Sequence, residues 1–218
     1  AMTGTGVDAV ILITNRLAKE EESDEVWLAN LQALLDKLPS QVPLGFYECP
    51  YPYKRVLSPK VTRWCAESGR FFFLKDTCCD IGRIRERIRL VRGTPLRLFN
   101  ANAATLLDSF RAGAGGYCGV GANYYPELFR LLWAHRDSEQ AKELQQFIAA
   151  NDAMADLGRA YPVSAKYMAQ LHRLPLSLRC RITERTIGDG DRQTLRQLGA
   201  DAERLIRRFS ANAVMETA

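Results

Sequence analysis

The sequence predicts an α/β protein in which β/α units build a parallel sheet and a region of helices follows. Two observations support this prediction. Between Val7 and about Asn123, short apolar runs of strand length alternate with segments whose apolar residues recur at helical spacing, which is the pattern of β/α units around a parallel sheet. Beyond about Arg136 only helical patterns remain. We therefore predict a β/α body over residues 1–135 and a helical extension over residues 136–218.

Five strands are predicted in the β/α body. The first, Asp8–Thr14, has an uninterrupted apolar centre, as a strand that is buried on both faces should have. The other four are Val42–Tyr47, Phe71–Lys75, Leu96–Phe99 and the glycine-rich Gly116–Val120. Five β/α units do not close a barrel, which needs eight strands. Either the sheet is open or three units at its N-terminal end are missing from these residues.

Helices are predicted between the strands and after them. The first, at about Glu22–Lys37, begins near the N-cap residue Ser23. The second begins at Ser58-Pro59, an N-cap followed by proline at the first helical position. Further helices are predicted at about residues 81–91, 103–111, 126–134, 138–157, 162–171 and 192–210, with a loop around residues 188–190.

An arginine cluster lies on the third predicted helix. Its members, which alternate with apolar residues at helical spacing, are Arg83, Arg85, Arg87, Arg89 and Arg92. This pattern favours the solvated face of an amphipathic helix over an anion-binding surface.

The composition is that of an ordinary globular chain, with 47% hydrophobic and 25% charged residues and a formal net charge of +5. The basic residues form no block, so no nucleic-acid partner is expected. No apolar run reaches the length of a membrane span, and residues 1–6 lack the features of a secretory leader. We therefore expect a cytoplasmic protein. The six cysteines form no C-x-x-C pair and only two histidines could join them, so we expect free thiols and no zinc site.

Two residues that could take part in catalysis lie at the C-terminal ends of neighbouring predicted strands. Lys75 follows four apolar residues, and the C-terminal ends of barrel strands face the active site. A lysine that is partly desolvated there keeps some neutral amine, which can attack a ketone to form an imine. Tyr47 ends the preceding strand, and its phenol could move the protons that imine chemistry requires. From the pattern alone, a lysine marking a strand end and a tyrosine at the rim stay open as alternatives.

Two other segments invite a chemical interpretation that the residues do not support. The glycine-rich run Gly113–Gly121 contains no frame of G-x-G-x-x-G, so it does not indicate a dinucleotide site. Cys78 and Cys79 could be nucleophiles, but neither histidine falls at a neighbouring strand end to act as their base. We therefore expect both cysteines to be buried free thiols.

Together, the strand-end motifs resemble those of the dihydrodipicolinate synthase / N-acetylneuraminate lyase family of class I aldolases. Tyr47-Glu-Cys-Pro50 resembles the family's Tyr-Asn-x-Pro, and Lys75-Asp-Thr-Cys-Cys-Asp80 resembles its Lys-x-Ser/Thr-x-x-Asp. Gly116-Tyr-Cys-Gly-Val-Gly-Ala-Asn123 is similar to its eighth strand. The start, Gly6–Thr14, is similar to its fourth strand, and the helical tail around residues 162–166 is similar to its C-terminal domain.

The resemblance implies a (β/α)8 TIM barrel, of which about strands 4 to 8 are present, followed by a C-terminal helical domain. It implies that Lys75 forms the imine with pyruvate or another 2-keto acid and that Tyr47 shuttles protons. Thr77 and the backbone at Cys118 would line the substrate pocket, and we expect Asn100 and Asn102, after the seventh strand, to bind substrate. A homotetramer or homodimer without cofactor or metal is expected.

Departures from the family pattern support a second hypothesis. The synthases carry an arginine where this chain has Pro52, and Lys54 and Arg55 are left open as replacements. The family's tyrosine pair after the fourth strand is replaced by Arg16-Leu17, and the carboxylates of the sialic acid lyases are absent from Asn100–Ala103. The family's first three β/α units, which hold its carboxylate-binding segment, have no counterpart. The alternative is a catalytically weakened relative that binds a metabolite or a protein partner.

Overall fold

The computed structural model describes residues 5–156, 160–181 and 183–215 and divides into two compact units between Cys118 and Gly119. The first unit holds five strands, β1 (Val10–Ile13), β2 (Leu44–Tyr47), β3 (Phe71–Asp76), β4 (Arg97–Asn100) and β5 (Gly116–Tyr117). Its helices are α1 (Asp24–Leu35), α2 (Pro59–Glu67), α3 (Ile81–Val91) and α4 (Leu106–Ala112). The second unit holds α5 (Pro126–Ala134), α6 (Ala141–Asp156), α7 (Val163–Leu171) and α8 (Asp189–Met215).

The five strands form one parallel sheet in the order β1-β2-β3-β4-β5. This order follows from the sequence because a strand connected to the next by a helix adds to the sheet in parallel. Ser23 and Ser58 accept hydrogen bonds at the N-termini of α1 and α2, as predicted for N-caps. The predicted alternation of strands and helices is therefore confirmed.

The two faces of the sheet have different environments. On one face Phe46, Leu74 and Leu98 are fully buried in the core of the unit. On the other face Phe73 and Phe99 are half-buried, with their ring centroids 4.6 Å apart, and Ile11 is 44% exposed. Because side chains alternate along a strand, every second residue belongs to the half-exposed face. That face carries the residues of the candidate site.

A register shift between β2 and β3 places the site residues side by side. Leu44 pairs with Phe71, whereas the next residue, Gly45, pairs with Phe73. Phe72 is therefore the extra residue of a β-bulge, and its side chain is exposed. Beyond the bulge the register continues to the pair Tyr47–Lys75.

Gly45 is required by this close packing, and we predict that Gly45→Ala destabilises the protein. An added Cβ would lie 2.7 Å from Ile11 Cδ1 and 2.9 Å from both the Cβ and the carbonyl oxygen of Phe73. Because neighbouring backbone must move, the free energy of unfolding should fall by about 1–3 kcal/mol, measured by urea denaturation. Gly190→Ala is the control, since its Cβ would meet nothing within 4 Å. A loss at Gly45 no larger than at Gly190 would contradict the prediction.

The second unit is a helical assembly with its own apolar core. Its interior includes Leu128, Leu144, Ile148, Leu195 and Leu198. A buried hydrogen bond of 2.7 Å joins the hydroxyl oxygens of Tyr124 and Ser164. In the part of the chain that the structure describes, no helix is long and apolar enough to cross a membrane.

Several predicted boundaries differ from the observed ones. The fifth strand ends at Tyr117, three residues early, and a 3-10 turn at Val120–Asn123 follows. The loop expected around Gly190 is already helical, because α8 begins at Asp189, where acidic residues favour a helix N-terminus. Leu157, the predicted end of the sixth helix, lies outside the described residues. The division into domains at residues 135 and 136 stays a prediction beside the observed units.

Candidate active site

Lys75 and Tyr47 lie against each other at the C-terminal ends of adjacent parallel strands. They are partners in the β2–β3 register, and Lys75 Nζ lies 4.1 Å from the centroid of the Tyr47 ring. Both side chains are half-buried. A protonated amine at this distance is attracted to the ring face. The structure thus brings together the two residues that the sequence singled out, and their catalytic role stays a prediction.

The residue that follows each of them takes part in a buried ionic cluster on the opposite face of the sheet. Glu48, Asp76 and Arg87 have side chains that are 0–2% exposed. The guanidinium of Arg87 donates to both carboxylates: Nη2 bonds Glu48 Oε1, Nη1 bonds Asp76 Oδ2, and Nη1 lies 3.2 Å from Glu48 Oε2. We call these three residues the Arg87 cluster. It joins the end of β2, the end of β3 and the middle of α3.

Backbone donors complete the hydrogen bonding of the cluster's carboxylates. Glu48 accepts from the backbone N–H of Leu57 at 2.9 Å and of Thr77 at 3.0 Å, and Asp76 accepts from that of Cys78 at 2.9 Å. Both segments that leave the strand ends are therefore tied to the cluster. Burial of this kind is tolerated because each carboxylate oxygen has a partner.

The expectation that the whole arginine cluster of α3 is solvated is wrong for Arg87, which is buried. Burial acts to lower the pKa of Arg87, but the charge and hydrogen bond of Glu48 and the charge of Asp76 raise that pKa above its usual value. The guanidinium therefore stays charged. The sequence did contain a signal for this placement, since Arg87 lies three residues after Ile84 and four before Val91, on the buried stripe of the helix. Arg83, Arg85, Arg89 and Arg92 are exposed, as predicted.

Thr77 and Cys118, the predicted pocket residues, are half-buried at the same edge of the sheet. The Thr77 hydroxyl donates to the carbonyl oxygen of Glu48 at 2.9 Å. The backbone N–H of Cys118 donates to the carbonyl oxygen of Asn100 at 2.8 Å. The backbone N–H at this predicted pocket position is therefore already engaged within the sheet.

Asn100 and Asn102 are not brought together with Lys75. Asn100 is still inside β4, paired with Asp76, so alternation places its side chain on the buried face. There its amide donates to the hydroxyl oxygens of Thr105 and Ser109, each at 3.0 Å, and its Oδ1 accepts from the N–H of Asn102. Asn102 Oδ1 accepts from the N–H and hydroxyl of Thr105. Both asparagines organise the start of α4.

Arg55, a candidate replacement for the arginine that the synthases carry at the position of Pro52, is bonded to the segment after β1. Its guanidinium donates to the carbonyl oxygens of Lys19 and Glu22, both at 3.0 Å, and forms an ion pair with Asp24. The side chain is only 11% exposed. These bonds fasten the segment after β2 to the segment after β1, so Arg55 has a structural role.

The cysteines after β3 differ from the expectation that both are buried. Cys79 is exposed, and Cys78 is half-buried. Burial, followed by the charge of Asp76, raises the pKa of Cys78 to about 11. All six cysteines are free thiols, as predicted. Among the described residues, no group of three or more His, Cys, Asp and Glu side chains could hold a metal ion.

We predict that Cys78 is a slow nucleophile at neutral pH. Only the thiolate is alkylated, so a raised pKa keeps the reactive fraction small, and the iodoacetamide rate should rise roughly tenfold per pH unit up to about pH 10. Mass spectrometry of the peptide that holds Cys78 measures this rate, with Cys78→Ser identifying the signal. A rate that already levels off near about pH 8 would contradict the raised pKa.

Comparison with known proteins gives one group of relatives. No protein-family profile matches the sequence. A curated relative, the 4-hydroxy-tetrahydrodipicolinate synthase of Staphylococcus saprophyticus, is 24% identical over 199 residues, which is 88% of this chain and 63% of the relative. The chain therefore spans less than two thirds of the length of the curated relative that it matches.

Solved structures show the same fold at lower sequence identity. YagE of Escherichia coli K12, a prophage protein of the dihydrodipicolinic acid synthase family in complex with pyruvate, matches with a TM-score of 0.77 and 19% identity, over 92% of this chain and 68% of that one. Dihydrodipicolinate synthase from Acinetobacter baumannii, complexed with pyruvate, matches with a TM-score of 0.74 and 22% identity over the same shares. A monomeric dihydrodipicolinate synthase variant matches with a TM-score of 0.75 and 16% identity, over 88% of this chain and 64% of that one.

These findings agree with the tyrosine and lysine motifs at the ends of β2 and β3. The neighbours are (β/α)8 barrels. The first unit of this chain likewise alternates strands and helices and has a parallel sheet. In its strand-end motifs, its curated relative and its fold, the chain is similar to proteins of the dihydrodipicolinate synthase family, of which it spans about two thirds of the length.

Proposed function

We propose that the chain is part of a Schiff-base-forming lyase or aldolase that acts on pyruvate or a related 2-keto acid. The observation that carries the proposal is the contact between Lys75 Nζ and the Tyr47 ring at the ends of two adjacent parallel strands. In β/α barrels this end of the strands holds the active site. Two structural neighbours, YagE and the Acinetobacter enzyme, were solved with pyruvate, which supports the choice of substrate.

Lys75 supplies the nucleophile in this mechanism. Its neutral amine attacks the keto carbon, and loss of one water molecule from the adduct leaves an imine between Nζ and that carbon. When a carbon–carbon bond at the neighbouring carbon breaks, the protonated imine accepts its electron pair and becomes an enamine. In the reverse direction the enamine supplies that pair to form the bond, and the protonated imine is regenerated. Hydrolysis returns the free amine and the keto product.

Tyr47 moves protons in the same cycle. Imine formation requires a proton to reach the oxygen that leaves as water, and the bond-breaking step requires one to leave or reach the substrate. The phenol ring lies against the amine, on the neighbouring strand. Thr77 and Cys118, at the same edge of the sheet, are the further candidates for substrate contact.

In this proposal, residues 1–135 form about strands 4 to 8 of a (β/α)8 barrel, and residues 136–218 form a C-terminal helical domain. β1 is an edge of the described sheet and pairs only with β2 within it. Such an edge exposes unpaired backbone groups, which three further β/α units of about 90 residues in all would cover. Those units would supply the binding segment for the keto-acid carboxylate.

The remaining properties follow from the family. We propose a cytoplasmic homotetramer or homodimer that acts on a small molecule and needs no cofactor, nucleic acid or membrane. Reduction with borohydride in the presence of a 2-keto acid tests the central step, because it converts an imine at Lys75 into a stable adduct.

A catalytically weakened relative that binds a metabolite or a protein partner is the second candidate function. One observation favours it: Arg55, the arginine nearest to Pro52 in sequence, is held by Asp24 and two backbone carbonyls. Three hydrogen bonds of its guanidinium are therefore made within the chain. Formation of an imine at Lys75 separates the two candidates, since only the enzyme requires it.

A further inference from the structure

The second unit contains a cavity whose lining is rich in arginine. The cavity has a volume of about 670 Å³ and lies between α7, the start of α8 and the segment that joins them. Four arginines line it: Arg179, Arg181, Arg185 and Arg192. Two further lining residues, Val163 and Ile187, are apolar and buried. The cavity therefore combines an apolar part with several positive charges.

The only acidic residue in this lining is Glu184, so the lining carries a formal excess of three positive charges. Of the ionic pairs in the described part of the chain, none involves Arg179, Arg181 or Arg192. Asp191, nearby in sequence, accepts a hydrogen bond from the N–H of Gly188.

Three arginines later in α8 have acidic partners within the chain. Arg204 pairs with Asp201, Arg207 with Glu203, and Arg208 with Glu143. The helix α8 thus neutralises its later arginines with acidic partners of this chain. No such ionic pair is found for Arg179, Arg181 or Arg192 among the described residues.

The segment that carries three of the arginines is fastened in place. Lys166 Nζ donates to the carbonyl oxygen of Arg179, and Gln170 Nε2 donates to that of Leu176 at 2.6 Å. Arg185 Nη1 donates to the carbonyl oxygen of Tyr161 at 3.3 Å. Arg192, on α8, lies over the Tyr167 ring, 5.1 Å from its centroid. A site that is held before its ligand arrives loses less entropy on binding.

We propose that this cavity binds a small organic or inorganic anion that carries at least two negative groups, either phosphates or carboxylates. Planar guanidinium groups recognise both kinds of oxyanion with paired hydrogen bonds. The volume falls within the range of about 300–1,000 Å³ that small-molecule sites occupy, which favours a metabolite over an extended polyanion. The site lies within the second unit and does not depend on the chemistry of Lys75.

Isothermal titration calorimetry with two probes, pyrophosphate and citrate, tests the proposal. At matched ionic strength, we expect at least one of them to bind, and acetate to bind far more weakly. Binding of pyrophosphate alone assigns a phosphorylated ligand, and binding of citrate alone assigns a polycarboxylate. The double variant Arg179→Gln/Arg181→Gln, whose side chains are exposed, should weaken binding by about tenfold or more.

The matched control is Arg204→Gln/Arg207→Gln, which removes the same charge from exposed positions of α8 that have acidic partners. It should change the affinity by less than about twofold. Circular dichroism melts establish that both double variants fold. Three results would overturn the proposal: no heat with either probe at millimolar concentration, an equal loss in the two double variants, or a short RNA that binds more tightly than both probes.

Discussion

If the chain belongs to the barrel enzyme that we propose, replacing Lys75 with alanine is expected to abolish the trapping of pyruvate by borohydride. In the unsubstituted protein, the peptide that holds Lys75 should gain the mass of pyruvic acid less one oxygen atom, because imine formation loses water and reduction adds two hydrogens. Mass spectrometry after digestion measures this gain. Lys75→Arg, which keeps the charge over the Tyr47 ring, should lose trapping as completely as Lys75→Ala.

Tyr47→Phe separates imine formation from the later proton transfers. The ring that Lys75 contacts is kept, so the adduct should still form, while turnover should slow by roughly 10² or more because the positioned acid and base is lost. Equal turnover in both proteins would remove Tyr47 from the mechanism.

Lys60 is an internal control for amine reactivity. The hydrogen bond and charge of Glu25 raise the pKa of Lys60, so its amine stays protonated at neutral pH and should gain no mass. If no 2-keto acid at millimolar concentration adds mass to the peptide of Lys75, the non-catalytic binding protein becomes the better account.

The pairing of Lys75 with Tyr47 could be predicted because the two sequence patterns that indicate it are local. An apolar run followed by one polar residue marks where a buried parallel strand ends, and strands joined by one helix become neighbours. Lys75 and Tyr47 satisfy both conditions, and the structure pairs them in register.

Asn100 shows that an error of one residue in a strand boundary is enough to place a side chain on the wrong face of the sheet. The predicted fourth strand ended at Phe99, which left Asn100 free to face the site, but β4 ends at Asn100. Since side chains alternate, a shift of one residue exchanges the two faces of a sheet. The residue therefore faces Ser109 and α4 and is buried.

The ionic partners of Arg55 and Arg87 could not be predicted from local patterns. The environments of the two arginines depend on acidic groups that are distant in sequence: Asp24 is 31 residues from Arg55, and Glu48 is 39 residues from Arg87. Composition predicts that arginine is solvated, and this expectation fails where tertiary structure brings carboxylates to a buried position. The same long-range pairing fixes the residues beside Tyr47 and Lys75.

Removal of Arg87 is expected to be among the most damaging single substitutions in the first unit. Arg87→Met keeps a long apolar side chain but leaves the carboxylates of Glu48 and Asp76 buried beside each other without a cation. Loss of one partner from a buried ionic cluster typically costs about 3–5 kcal/mol of folding free energy, which urea denaturation should measure. Arg85→Met, on the same helix but 52% exposed, should cost less than about 0.5 kcal/mol.

The cost should come from uncompensated charge, and this cause can be tested by removing the charge. In the triple variant Glu48→Gln/Asp76→Asn/Arg87→Met, no ion is left in the cluster. The amide oxygen at position 76 can still accept from the N–H of Cys78, and the one at position 48 can accept from Leu57 or from Thr77, which donate to different oxygens of Glu48. Stability should therefore recover by more than half, since a buried ionic cluster as a whole contributes little net stability. A triple variant less stable than Arg87→Met would show that packing around the guanidinium, rather than charge balance, makes Arg87 necessary.

Trapping at Lys75 is a second readout, because the cluster holds the residue after each of the two site residues. We expect Arg87→Met to slow adduct formation even under conditions where it is fully folded, and the triple variant to restore part of that rate.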